Sequence, residues 1–330
     1  GANVTGISDT IPTTPSNFLA NKLEKKVRHI IFDIKNRKKL SSTIKKIKPD
    51  YIFHLAAQAL VKNSYKNPVQ TFETNSIGTL NLLEALKELK SRKKCSVVII
   101  TSDKSYKNLE IKRGYKEDDI LGGHDPYSAS KACAELIIQS YIKSFLKNNK
   151  KLYISVARAG NVIGGGDWSQ DRLIPDCIRS IRKKKKLKIR FAHSTRPWQH
   201  VLEALYGYMV LALKQKNNKK ISGNSFNFGP NNKSSLSVLD LVNKFKKNWP
   251  ILEWELIKSK KKVFESGLLK LNSDRALKNL NWKCILNANQ TILMLVNWYK
   301  FYYEKKNKLS MFNFSINQIK YYEKLIKNKS

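Results

Sequence analysis

Short runs of consecutive apolar residues alternate with longer one-sided segments through the first half of the chain. Five runs rich in Val and Ile, at residues 3–6, 27–32, 51–55, 96–100 and 153–157, predict strands. A parallel sheet is buried on both faces, so its strands read as nearly continuous apolar runs rather than alternating ones. Residues 37–48, 68–90 and 127–149 predict helices between them, the second carrying Leu82, Leu83, Ala85, Leu86 and Leu89 as a one-sided stripe. Strand–helix alternation of this kind predicts an α/β chain with a Rossmann-like, doubly wound parallel sheet. Beyond about residue 165 polar loops, prolines and a lysine run precede a mixed region with helices near 202–216, 236–247 and 289–306. The expectation is a nucleotide-binding domain over 1–164 and a mainly substrate-binding, smaller α/β domain over 165–330, with about 192–225 returning to the first. A crevice then opens where the sheet's strands end. The Lys- and Asn-rich tail from about 307 predicts a loosely held helix.

With 330 residues, 41% of them hydrophobic, the chain can bury a large core. No stretch approaches the roughly 18 apolar residues of a membrane span, and the first residues lack the basic and apolar regions of a signal peptide. Cys95, Cys133, Cys177 and Cys284 form no Cys-x-x-Cys pair and have no His at ligand spacing. They read as small buried thiols, which excludes a zinc site or disulfide framework and points to a reducing, cytoplasmic location. The net charge of +38 raises the question of a polyanionic partner. Its lysines are spread over many helices, as at Lys45–Lys46, Lys246–Lys247 and Lys305–Lys306, and the dense run Arg182–Lys186 lacks interleaved aromatics. No specific nucleic-acid partner and no membrane insertion are therefore expected.

Candidate chemistry sits in Asp125-Pro126-Tyr127-Ser128-Ala129-Ser130-Lys131. A Tyr and a Lys four residues apart share a helix face, and the ammonium is expected to lower the phenol's pKa so that Tyr127 acts as a base. Tyr302 and Lys306 show the same spacing, where only a solvated helix face is expected. What separates them is context: Tyr127 opens a helix after Pro126 and follows the strand that ends in Thr101-Ser102. The next residues, Asp103 and Lys104, bring an acid and a cation to the same strand end, where open sheets bind ligands.

Together Ser102, Tyr127 and Lys131 resemble the catalytic set of the short-chain dehydrogenase/reductase family. His54-Leu55-Ala56-Ala57-Gln58, Asn75 and Arg158-Ala159-Gly160-Asn161-Val162 resemble motifs of its extended branch, which acts on nucleotide sugars. Lys104, where related dehydratases carry Glu, resembles the subgroup that acts on CDP-glucose. So do Gly122-Gly123-His124-Asp125, Gly164-Gly165-Gly166-Asp167-Trp168, Asp171-Arg172-Leu173-Ile174-Pro175-Asp176 and Arg196-Pro197-Trp198-Gln199-His200-Val201. The resemblance weakens after about residue 230, where Glu265 and Leu269-Lys270-Leu271 are less close.

This resemblance implies a hydro-lyase with NAD as cofactor, CDP-glucose as substrate and a homodimer built through two helices. It assigns catalysis to Ser102, Asp103, Lys104, Tyr127 and Lys131. The cofactor falls to Asp33, Ile34, Leu55, Ala56, Ala57, Gln58, Asn75, Thr101, Tyr127 and Lys131, and the substrate to Asn161, Arg172 and Arg196. Asp103 is then the acid for the departing C6 hydroxyl, and Lys104 either takes the C5 proton or steadies an enolate. The family begins with a central strand and a glycine loop that holds the pyrophosphate, and no segment here matches them. A longer reading frame, exposed edges on the neighbouring strands and weak NAD binding by the chain as written are therefore expected. Two other readings stay open: an epimerase or dehydratase for a dTDP-, GDP- or UDP-sugar, and an inactive fragment with a basic binding surface.

Overall fold

All five apolar runs form strands in the computed structural model, which describes residues 1–89, 93–230, 236–257, 268–304 and 309–329. They are β1 (Thr5–Ser8), β2 (Arg28–Ile31), β3 (Tyr51–His54), β4 (Cys95–Ile100) and β5 (Leu152–Ala159). Between them run α1 (Asn17–Ala20), α2 (Arg37–Ile47), α3 (Val61–Lys66), α4 (Pro68–Phe72), α5 (Gly78–Lys87) and α6 (Pro126–Tyr141). The second half adds β6 (Val162–Ile163), α7 (Leu173–Arg182), β7 (Leu187–Ile189), β8 (Thr195–Arg196), β9 (Gln199–His200), α8 (Val201–Asn217) and β10 (Ser225–Phe228). It closes with β11 (Leu236–Ser237), α9 (Val238–Asn248), β12 (Trp254–Leu256), α10 (Asp274–Leu280), α11 (Ala288–Glu304) and α12 (Met311–Lys329). Glu265 and Lys306, and with Lys306 the comparison pair Tyr302–Lys306, lie outside the described residues.

A parallel sheet in the order β10-β5-β4-β3 forms the centre. Alternate residues of β4 serve two cores, as the strand's period of two requires. Val97 and Ile99 pack with Leu82, Leu83, Leu86 and Ile138 of α5 and α6, while Val98 packs with Ala204, Tyr208 and Leu211 of α8. Coverage on both faces buries every residue of β5. β1 and β2 pair with each other in parallel but not with β3. β3 is the last strand of the four-stranded sheet, and its Tyr51 and Phe53 are 38% and 37% exposed and Leu55 beyond them 53%.

The helix expected over 68–90 is divided into α4, a π-turn over Glu73–Ile77 and α5, its final residue lying outside the described set. Periodicity alone does not show this break. Asn75 and Ser76 in the turn bond to Ser130 of α6, and Gly78 lies against Ile34 so closely that an added Cβ would sit 2.5 Å from its Cδ1. Single π-turns inside α-helices are rare and frequently lie at functional sites.

A separate core joins α7, α9 and α11 through Cys177, Ile178, Leu241, Phe245, Leu295, Trp298 and Tyr299. All four cysteines are free thiols. The tail is held more firmly than its composition suggests. In α12, Gln318 Nε2 donates to the Met294 carbonyl at 2.7 Å, and Tyr322 donates its hydroxyl to Glu203 at 2.7 Å. Glu203, buried at the start of α8, also accepts the main-chain N–H groups of Ile285 and Leu286 at 2.8 and 2.5 Å. A buried carboxylate needs such donors, and so the tail's only fully buried tyrosine among the described residues becomes an anchor. Tyr322→Phe is expected to lower unfolding free energy by about 1–3 kcal/mol; an unchanged urea midpoint would refute the anchor.

Candidate active site

Main-chain geometry at the tip of β4 sets the first candidate groups. Ser102 is extended and caps a single 3-10 turn over Asp103–Ser105: its Oγ accepts the Lys104 N–H at 3.2 Å and donates to Asp103 Oδ1 at 3.0 Å. Asp103 is 3% exposed, and its Oδ2 has no hydrogen-bond partner among the described residues. Burial raises the Asp103 pKa, while Lys104, the Ser102 bond and Arg196 pull the other way. A carboxyl held up by burial keeps its proton more readily, as a general acid must. Lys104 is half-buried beside it.

Helix α6 brings the second half of the site. Pro126 at its first position and Asp125 as cap fix its start; the Asp125 carboxylate accepts the Ser128 N–H at 3.0 Å and its hydroxyl at 2.6 Å. Gly123 makes room for this turn, since an added Cβ would lie 2.4 Å from the Ser128 carbonyl carbon. Tyr127 stands beside Ser102, and Lys131, one turn on and 7% exposed, donates to the Ile100 carbonyl at 3.4 Å. The expected lowering of the phenol's pKa is not seen. Burial raises it, with Asp103 in the same sense, against the lowering influence of Ser102 and Arg172. Desolvation of a phenolate outweighs the neighbouring cations here. Lys131 moves the opposite way, burial pushing its pKa down to about 8 against the pull of Glu135.

The expected cofactor residues divide into two sets. Asp33, Leu55, Ala56 and Ala57 lie half-buried or exposed along the ends of β2 and β3, although Asp33 Oδ1 also accepts the Lys35 N–H at 2.8 Å. Ile34, Gln58, Asn75 and Thr101 are engaged internally. The Ile34 side chain is buried core and its carbonyl accepts Asn81 Nδ2 at 3.1 Å. Asn75 accepts the Gln58 N–H at 2.8 Å and donates to the Gln58 carbonyl and Ser130 Oγ at 3.0 and 2.9 Å. The Gln58 side chain bonds Thr71 and the Leu60 N–H. Asn75 therefore clamps the Ala56–Gln58 loop to α6. His54 before that loop bonds Thr79 at 3.1 Å and is held neutral, burial lowering its pKa to about 3.

Of the expected substrate residues, Arg196 in β8 is buried, donates to the Thr195 carbonyl at 2.8 Å and acts electrostatically on Asp103. Arg172 is paired with Asp167 at 3.1 Å and acts on Tyr127. Asn161, between β5 and β6, accepts the Gln199 N–H through its carbonyl at 3.0 Å. Sequence reasoning did not single out Glu135, which accepts the Thr101 hydroxyl at 2.5 Å and is fully buried. Its spacing, four residues after Lys131, was the available signal. Among the described residues no cluster of ligands for a metal occurs, and no helix is long and apolar enough to cross a membrane.

Residues 3–294 match the protein family described as GDP-mannose 4,6 dehydratase. A CDP-glucose 4,6-dehydratase of Salmonella typhimurium is 40% identical over 304 residues, covering 91% of this chain and 84% of that protein. The UDP-glucose 4-epimerase of Thermotoga maritima, solved with UDP-glucose, superposes with a TM-score of 0.77 at 18% identity, covering 91% of each chain. The dTDP-glucose 4,6-dehydratase of Bacillus anthracis, solved with NAD, gives 0.74 at 21% identity, over 91% of this chain and 88% of that one. At such identity the two structures speak for the fold alone.

The Asn75 clamp has a local readout. Asn75→Ala is expected to raise amide hydrogen exchange at Gln58 and its neighbours by about fivefold or more, for the loss of a bond worth ~1 kcal/mol or above. Unchanged exchange there, in a folded variant, would show that the loop is held by other contacts.

Proposed function

This chain belongs to the GDP-mannose 4,6-dehydratase family, and from that membership we propose that it is an NAD-dependent hydro-lyase converting CDP-D-glucose to CDP-4-dehydro-6-deoxy-D-glucose. The observation that carries the reaction type is Asp103. Oxidation of a sugar carbon and return of the hydride need only a Tyr–Lys pair, which serves an epimerase equally well. Loss of water needs an acid for the departing hydroxyl, and a buried carboxyl with a raised pKa bonded to Ser102 supplies one. The choice of CDP-glucose rests on the Salmonella relative.

The residues present suit NAD. Small side chains at Ala56 and Ala57 let a ligand approach the clamped main chain, Asp33 keeps a partly exposed carboxylate for an adenine amino group, and Tyr127 and Lys131 stand at the β4 tip. Bound NAD supplies reversible hydride chemistry, so that the overall reaction has no net redox change. In its phenolate form, which burial disfavours and the Lys131 ammonium offsets, Tyr127 takes the C4 hydroxyl proton while Ser102 holds that oxygen. The resulting 4-keto group acidifies C5. Asp103 protonates the leaving C6 hydroxyl, and Lys104 takes the C5 proton or steadies the enolate. Arg196 and Arg172 grip the diphosphate by forked hydrogen bonds, with Asn161 as a further contact.

We also propose a homodimer formed through the α3–α4 and α6 surfaces. Tyr65, Val69, Phe72, Ile77 and Leu136 are large apolar side chains left exposed there, Val69 at 71%, and a surface of this kind is characteristic of an interface. Free thiols throughout fit a reducing cytoplasm, and a 4-keto-6-deoxysugar nucleotide is a precursor suited to surface polysaccharide such as lipopolysaccharide.

Incubation with CDP-glucose is expected to give a 4-keto-6-deoxy product. Tyr127→Phe and Asp103→Asn should each lower its formation by about 10²–10⁴-fold. Faster conversion of a dTDP-, GDP- or UDP-sugar, or epimer without loss of water, would overturn the assignment. Light scattering should report a dimer that Val69→Glu with Leu136→Glu converts to monomer; an unaltered mass would exclude this surface.

A further inference from the structure

The Tyr127–Lys131 face of α6 continues one turn further to Glu135, 0% exposed. Its two oxygens take three donors from two other elements. Thr101, just past the end of β4, gives its hydroxyl at 2.5 Å, and Arg158 of β5 forks onto the carboxylate with Nε and an Nη at 2.7 and 2.6 Å. Arg158, 1% exposed, spends its other donors on the Tyr106 hydroxyl at 2.7 Å, the Glu117 carbonyl at 2.9 Å and Ser225 at 3.2 Å. Its guanidinium carbon lies 4.8 Å from the centre of the Tyr106 ring, and Tyr106 donates in turn to Asn227 of β10 at 2.8 Å. One carboxylate thus ties the catalytic helix to β4, to β5 and to the segment that follows the reacting turn.

We propose that Glu135 is a positioning residue of this enzyme, which fixes the Tyr127–Lys131 helix against the β4 and β5 tips and serves as the buried counter-charge of Lys131. The value of Lys131 to turnover rests on the proposed function; the arrangement around it does not. Residues four apart on a helix lie about 6 Å apart at their Cβ atoms, and in a buried setting that distance couples charges strongly. The remaining groups around α6 do not substitute for Glu135. From β3, His54 faces Lys131 but is neutral. From β4 comes the Ile100 carbonyl, and Asp103 and Lys104 of the following turn act on one another. On the helices packed beside α6, Lys62 pairs with Asp171, Glu73 with Lys35, and Glu84 with Arg37 and Lys87, while Lys66 is exposed. Arg158 of β5 is a buried cation, and its charge is paired with Glu135 itself.

Glu135→Gln keeps the shape and removes the charge, and Glu135→Gln with Arg158→Met also removes the stranded guanidinium. Competitive acetylation at a series of pH values, read by peptide mass spectrometry, follows Lys131 individually without any substrate. The wild-type midpoint is expected near the value of about 8 that burial and Glu135 set. It should fall by about one pH unit in Glu135→Gln, fall by less where the Arg158 charge is also removed, and stay in place in Glu135→Asp. Lys131 must be protonated to offset the phenolate, and protonation is lost as pH rises through its pKa. The high-pH limb of kcat/KM should therefore move down by the same interval in each neutral variant. Thr101→Val, which removes one bond and no charge, should lower kcat without moving that limb. A midpoint that stays near 8 in either folded neutral variant overturns the proposal, as does loss of the fold in both, which would make the pair architectural. Absence of CDP-glucose turnover by the wild type defeats the proposed function instead, and the labelling result still decides this inference.

Discussion

A charged pair closed away from water between one helix and two strand ends holds the working part of this protein together. Glu135 and Arg158 meet at 2.6 Å with 0% and 1% side-chain exposure. Such a pair gains little over well-packed apolar residues, but removing either partner strands a buried charge at a cost of about 3–5 kcal/mol. That asymmetry makes the pair a strong determinant of position. Helix α6 has few alternative registers against β4 and β5, because almost any slide would part the carboxylate from its three donors. Tyr127 and Lys131, two turns and one turn back along the same face, inherit that register.

Low polarity around the β4 tip then acts on each titratable group according to the charge of its ionised form. Asp103 and Tyr127 become harder to deprotonate and Lys131 easier. A single environment thereby favours a protonated acid at Asp103 while limiting the pH range over which Lys131 remains an ammonium. Polar neighbours refine the outcome, for Ser102 donates to Asp103 and lowers the Tyr127 pKa as well. The sense of each shift follows from burial and charge together.

Support for this site extends well beyond it in sequence. The Ala56–Gln58 loop is held by Asn75, and Asn75 by Ser130 of α6. On the other side, Arg158 reaches Tyr106 and Glu117, and Asn227 accepts from Tyr106 while its main-chain N–H goes to Glu117. Loops from four parts of the chain are thus fixed by polar side chains that are themselves fully used, the arrangement that makes a buried polar network rigid rather than costly. The break in the sheet between β1–β2 and β3 leaves this region intact, since none of these bonds runs through β1 or β2.

Period and composition were enough to determine the five strands and the general positions of the three longer helical segments between them, because burial on both faces imposes continuous apolar runs that local sequence records. The short α1 and α3 were not expected, and the helix expected over 127–149 passes into a π-turn after Tyr141. Ordered motifs also carried the family, including Tyr127, Lys131, Ser102 and Asp103. The division of the 68–90 helix was not legible, since it depends on Asn75 and Ser76 reaching α6, nor was the anchoring of α12, which one tyrosine secures against a carboxylate 119 positions away. The expected lowering of the Tyr127 pKa failed for the same reason: spacing shows which charges are near, while only the folded chain shows how much water is gone. Several residues assigned to a ligand, Asn75 and Thr101 among them, turned out to spend their side chains on the protein. Glu135, an unremarkable acid on a helix when read in sequence, gained its place only when β4 and β5 brought Thr101 and Arg158 to it. Local pattern determines which elements form; desolvation and long-range hydrogen bonds, which have no local signature, decided what each side chain could do.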